Sequence, residues 1–307
     1  MHLAEAGAGP LVVLLHGFPE SWYSWRHQLN ALADAGFHAV APDQRGYGQT
    51  DRPEAIEAYS IMHLVGDVVG LLDALDEENA AVVGHDWGAP VAWHTALFRP
   101  DRVRGVVGLS VPFRPRTRGT QPPLSVLRAA LGERFYQIYF QRPGVAEADL
   151  ARDVHRTMKT VLYGASGDNP RVPDMLVDPE HGFLGPVAPP ERLPDWLSQA
   201  DLDYYVDEFQ RTGFAGGLNW YRNIDRNWEL LAPWAGAPVS VPALYMVGDR
   251  DVVYHFPGGG EQLFAGLKRS VPDLRQAVLL DGCGHWTQQE RPSEVNRLLL
   301  EFLSTLG

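Results

Sequence analysis

Among 307 residues there is a single cysteine, Cys283, which excludes an intrachain disulfide and any zinc site built from clustered thiolates, and fits a reducing compartment. Long apolar runs are missing as well. The stretch Leu11 to Leu15 falls far short of the roughly 20 residues that span a bilayer. Positive charge is scarce: 26 lysines and arginines face 38 aspartates and glutamates, and the net charge of −12 argues against a nucleic-acid or anionic-membrane surface. A small neutral substrate fits better. Met1 to Pro10 lacks the basic segment and apolar stretch of a signal peptide, so a cytoplasmic protein is expected, with no metal and no cofactor.

What is present is ample apolar material, 45% of residues, enough for a large buried core. Short apolar runs bounded by turn residues recur at Leu11 to Leu15, His38 to Ala41, Ala80 to Val83, Val103 to Leu109, Ala243 to Val247 and Gln276 to Leu280. They read as buried parallel strands. Amphipathic stretches lie between them, at Ser21 to Ala35, Ile61 to Leu75, Ala89 to Phe98 and Pro292 to Leu303. The alternation predicts an α/β fold with a doubly wound, mostly parallel sheet. It breaks between about Pro112 and Ala237, where tyrosine-rich helical patterns surround a loop rich in proline and glycine from Gly164 to Pro194. The expected division is a core of residues 1–111 and 238–307, with an inserted helical cap over 112–237.

After the run Ala80 to Val83 comes Gly84-His85-Asp86-Trp87-Gly88, then a helical pattern. This is the G-x-nucleophile-x-G elbow with aspartate in the nucleophile position. Alone, the string could be a turn whose aspartate caps a helix. As a nucleophile, aspartate is informative. A serine attacking an alkyl carbon would leave an ether, whereas a carboxylate leaves an ester whose carbonyl water can attack. The pattern therefore points to displacement at sp³ carbon.

The C-terminal third supplies an acid and then a histidine, completing the chain order nucleophile, acid, histidine that goes with such an elbow. Asp251 follows Ala243 to Val247 in Gly248-Asp249-Arg250-Asp251, with Asp249 as the alternative acid. His285 follows Gln276 to Leu280 in Gly282-Cys283-Gly284-His285-Trp286. Cys283 lies on the wrong element for a nucleophile and reads as a small core residue. His16-Gly17-Phe18-Pro19 ends the first core run, where a backbone amide, that of Phe18, would join the amide of Trp87 as an oxyanion hole. His16 and His85 read as residues that order loops.

These residues resemble the soluble epoxide hydrolases of the α/β-hydrolase superfamily. The resemblance is carried by His16 to Trp22, Asp43-Gln44-Arg45-Gly46-Tyr47-Gly48, Gly84 to Gly88, Tyr136 to Gln141, Asn219 to Asn223 and Cys283 to Trp286, and so covers nearly the whole chain. It implies the α/β-hydrolase fold with Asp86 as nucleophile, His285 as base and Asp251 as its orienting acid. Tyr136 and Tyr221 would be the ring-opening pair, chosen by motif position, with Tyr139 as the alternative to Tyr136. An epoxide oxygen leaves as an alkoxide, and cap phenols can hydrogen-bond and protonate it. Asp43 and Arg45 receive no catalytic role. Phe18, Trp87 and Trp286 would line an aromatic pocket for a hydrophobic epoxide, with water as co-substrate. Met1 to Gly7 leaves room for only part of the usual initial hairpin, which puts the first edge strand in doubt. A homodimer formed through the cap is compatible with the sequence.

Two rival readings remain at this stage. A haloalkane or haloacid dehalogenase resembles the same fold and nucleophile, but Phe18 stands where a haloalkane dehalogenase often has asparagine and Trp87 where a fluoroacetate-type enzyme has arginine. A non-catalytic receptor on this scaffold would be expected to carry a damaged triad, and the motifs are intact.

Overall fold

The computed structural model describes residues 1–306 except 117, 186 and 257. One sheet contains β1 (Leu3–Ala6), β2 (Leu11–Leu15), β3 (His38–Pro42), β4 (Ala80–His85), β5 (Val103–Leu109), β6 (Ala243–Gly248) and β7 (Leu274–Leu280), in the order β1-β3-β2-β4-β5-β6-β7. Only β1 is antiparallel. It pairs Leu3 with Pro42 and Ala6 with Ala39, so the short N-terminal segment does supply a four-residue edge strand. Helices α1 (Arg26–Asp34), α2 (Ile61–Ala74) and α3 (Gly88–Phe98) connect the first half of the sheet. Between β5 and β6 the described residues form α4 (Pro123–Leu131), α5 (Tyr136–Tyr139), α6 (Val145–Leu150), α7 (Val154–Gly164), α8 (Gln199–Thr212), α9 (Ala215–Arg222) and α10 (Ile224–Leu230). The chain ends with α11 (Val252–His255), α12 (Glu261–Ser270), α13 (Thr287–Glu290) and α14 (Pro292–Leu303).

Strands β2, β4 and β6 are buried at every position, which is why β2, β6 and β4 up to Gly84 read as apolar runs: helices cover both faces of a parallel sheet. Successive side chains still alternate between faces. Leu11, Val13 and Leu15 join one core with α2 and α3, whereas Val12 and Leu14 join the other with α1 and α14. The first of these cores continues into the insertion through Phe140, Leu150, Met158, Leu162, Tyr205 and Trp220. The insertion is therefore packed on the sheet as part of one apolar cluster.

From β2 the chain passes to β3 on one side and then returns to place β4 on the other. At such a switch point the connections diverge and leave a crevice at the carboxyl ends of the two strands. The loops after β2 and β4 carry Phe18 and Asp86, so the topology itself brings these two residues together.

Candidate active site

Asp86 sits in the turn between β4 and α3 with φ of +49°. This left-handed conformation is costly for a residue with a Cβ, and it lifts the side chain clear of the strand. The turn is tight enough that a Cβ on Gly84 would collide with the Gly88 carbonyl, and one on Gly88 with the Leu15 carbonyl. The flanking glycines are needed for close approach. Asp86 Oδ1 accepts the Phe18 amide at 2.8 Å, and Oδ2 lies 3.4 Å from His285 Nε2.

The other imidazole nitrogen, His285 Nδ1, lies 3.1 Å from Asp251 Oδ1. Asp251 is buried at the start of α11 and is fixed there by the Val253 amide, which donates to the same oxygen at 2.9 Å. Asp249 makes no hydrogen bond or ion pair with His285, and its buried Oδ1 is unpartnered. A residue that the sequence reading passed over also reaches Nδ1: Ser110 Oγ, at the end of β5, is 3.1 Å away.

Below this trio lies a buried network that the sequence hardly announces. His85 Nδ1 meets Glu20 Oε2 at 2.8 Å, and His85 Nε2 meets the His285 carbonyl at 2.7 Å. Glu20 also accepts the Gly17 amide and both side-chain amides of Gln288 and Gln289, each at 3.0 Å. Glu20 lies in the His16 to Trp22 string, but its partner is 65 residues away, and no local spacing signals the pair.

Tyr221 on α9 is buried, with its ring edge-on to Trp87 at 5.1 Å and to Phe18 at 5.6 Å. Tyr136 on α5 is partly buried, 5.8 Å from Tyr221 between ring centroids, and its hydroxyl accepts from Gln137 Nε2 at 2.9 Å. Tyr139 points elsewhere: its hydroxyl donates to Asp149 at 3.1 Å. Phe140 and Phe183 complete the aromatic wall beside Tyr136. Trp286 is placed differently from the expected pocket lining. It is fully buried, donates its indole N–H to the Leu162 carbonyl at 2.7 Å and packs on His285 at 4.8 Å. Among the described residues it makes no ring contact with Phe18, Trp87, Tyr136 or Tyr221.

Charges follow from this geometry. Burial pushes the Asp86 carboxyl up, but the hydrogen bond and charge of His285, the charge of His85 and the Phe18 amide together hold it below the ordinary aspartate value. Burial pulls the His285 imidazole down. Asp251 and Asp86, through charge and hydrogen bonds, outweigh it and raise His285 well above the usual 6.5. Burial raises both Tyr136 and Tyr221, with the Asp86 charge adding to the effect, so both phenols keep their protons beyond pH 10.

The sheet, the elbow and the histidine at the carboxyl edge define an α/β hydrolase, and the alpha/beta hydrolase fold family model matches residues 10–292. Epoxide hydrolase A of Mycobacterium tuberculosis is 50% identical over 313 residues, covering 100% of this chain and 94% of that protein. Epoxide hydrolase 3 of Siraitia grosvenorii is 48% identical, covering 99% of this chain and 95% of that one. Among solved structures, epoxide hydrolase A from Mycobacterium thermoresistibile superimposes with a TM-score of 0.91 at 52% identity, covering 99% of this chain and 94% of that chain. An epoxide hydrolase from an endophytic Streptomyces gives 0.93 at 46%, covering 99% and 92%. The chain belongs to the epoxide hydrolases of the α/β-hydrolase fold, and its activity is hydrolysis of an ether bond in an epoxide. The dehalogenase and receptor readings give way to this one.

Proposed function

We propose that the enzyme opens hydrophobic epoxides to vicinal diols in two covalent steps, with residues 112–237 acting as the cap that activates the oxirane. Asp86 attacks a ring carbon in line with the breaking C–O bond and forms an alkyl ester. Tyr136 and Tyr221 hydrogen-bond the leaving oxygen, and one gives it a proton. The resulting alkoxide is far more basic than a phenolate, so the transfer is downhill even from phenols made weaker acids by burial.

Esterification removes the charge of Asp86, one of the two anions that hold the His285 proton. The imidazole pKa falls, its proton leaves for solvent, and the neutral base takes a proton from water as that water attacks the ester carbonyl. The amides of Phe18 and Trp87 stabilise the oxyanion. The proton on His285 passes to the departing diol oxygen, the proton left on the carboxylic acid restores the phenol, and His285 regains its own proton from solvent as the Asp86 charge returns. No cofactor enters the cycle. We further place the enzyme in the cytoplasm, where the buried thiol of Cys283 needs no partner.

The observation that carries this reading is the line of contacts Asp251 Oδ1, His285 Nδ1, His285 Nε2, Asp86 Oδ2, at 3.1 and 3.4 Å, with the Phe18 amide on the far oxygen of Asp86. A base aimed at the nucleophile serves an ester formed there. His285→Gln incubated with an aryl epoxide should accumulate protein heavier by the mass of one substrate, with the adduct on the peptide containing Asp86. An adduct elsewhere, or none with turnover intact, contradicts the mechanism.

A further inference from the structure

The proposed base is held by the cap as well as by the sheet. Beyond α7 the chain runs beside the loop that carries His285, and the His285 amide donates to the Ala165 carbonyl at 2.8 Å. Trp286 reaches Leu162 on the same side, and Arg250 donates to the Gly167 carbonyl. Gly167 and Gly284 meet main chain to main chain: a Cβ on either would collide with backbone atoms across the seam. At Gly167 and Gly284 the cap and the histidine loop thus touch without an intervening side chain.

Beside that contact Glu290, the last residue of α13, is buried in the seam. Its Oε2 accepts the Gly167 amide at 2.8 Å and the Gly284 amide at 3.0 Å, while Oε1 accepts the Trp286 amide at 3.0 Å. The Ser166 hydroxyl stands 3.5 Å from Oε2. A single carboxylate therefore gathers the amides on both sides of His285 and one from the cap. Bonds from N–H to an ionised acceptor are shorter and stronger than neutral ones. Glutamine is nearly isosteric, but its nitrogen accepts nothing and would face at least one of these N–H groups.

We infer that Glu290 is a positioning residue for His285: by tying cap residues 166 and 167 to residues 284 and 286, it sets the direction in which Nε2 faces the ester. The inference rests on the two-step reading above. It assigns Glu290 to the hydrolysis half of the cycle only, because Asp86 attacks without a base.

Single-turnover tryptophan fluorescence, which separates ester formation from ester hydrolysis, tests this with Glu290→Gln. Misplacement of a catalytic group by about 1 Å costs on the order of 10²-fold in rate, so hydrolysis should fall about 10- to 100-fold while ester formation stays within about twofold. Ester should accumulate at steady state. A purely structural residue would lower both steps together, in proportion to folded enzyme, and that result or unchanged hydrolysis overturns the assignment. If the variant is not recovered folded, Trp196→Phe decides: it removes the indole N–H that fixes Ser166 Oγ at 2.9 Å and leaves Glu290 intact. Selective slowing of hydrolysis supports the inference, and an unchanged ratio of the two steps overturns it. Failure to find ester even in His285→Gln would sink the two-step reading itself, whereas ester in that variant with none accumulating in Glu290→Gln or Trp196→Phe sinks only the role of Glu290.

Discussion

Asp86 remains ionised in a mostly buried site because an imidazole and a backbone amide more than offset the cost of burial. Its pKa lies below the ordinary value, so ester formation should hold its rate as pH falls from 8 to 5. Ester hydrolysis behaves differently. In the ester the Asp86 charge is gone, the His285 pKa is correspondingly lower, and the rate should rise with pH through that value as the imidazole loses its proton. Rapid-mixing measurements of each step across this range check the contrast. A parallel loss of both steps in acid would contradict it. The phenols make a matching prediction. If they donate to the epoxide oxygen as proposed, Tyr136→Phe and Tyr221→Phe should each slow ester formation by about 10²-fold or more, with hydrolysis of preformed ester little changed. The same substitution at Tyr139, whose hydroxyl is engaged by Asp149, should leave ester formation near wild type.

At the scale of elements, strands and loops show where the sequence speaks and where it is silent. The apolar runs of β2, β6 and β4 up to Gly84 are legible because burial on both faces leaves few polar positions, and the elbow is legible because Gly84 and Gly88 face main-chain atoms that exclude any Cβ. The pairings that steady the elbow are not legible. Glu20 lies in the loop after β2 and His85 at the end of β4, Glu290 reaches 123 residues back to Gly167, and Ser110 after β5 meets His285 after β7 only where the chain closes over the end of β6 between them. Each depends on three-dimensional closure and leaves no periodic trace. The direction of the Trp286 indole, toward Leu162, is illegible for the same reason, since an aromatic beside His285 can face either side and only packing decides. The Glu20 and His85 pair is wholly buried, and removing one member of such a pair costs about 3–5 kcal/mol because the other is left uncompensated. Glu20→Gln should therefore lower the denaturant midpoint accordingly; a loss under about 1 kcal/mol would show that the pair is neutral in the fold. Burial raises the Glu20 carboxyl, but His85 and the Gly17 amide hold it below 4.5. Its stabilisation is present above that value and lost as pH drops through the lowered one.

For the molecule as a whole, the apolar core runs without a break from the sheet into the helical insertion, so the elements carrying Asp86, Tyr136 and Tyr221 pack on one cluster. A net charge of −12 neither attracts nor repels a neutral oxirane, and kcat/KM for such substrates should be insensitive to salt between about 0.01 and 0.5 M. The central claim is that the oxygen added to the diol comes first from the carboxylate of Asp86. A single turnover in heavy-oxygen water, with enzyme in excess, tests it most directly. The account predicts an unlabelled diol and heavy oxygen in the peptide containing Asp86; label in that first diol, with none in the peptide, would contradict it.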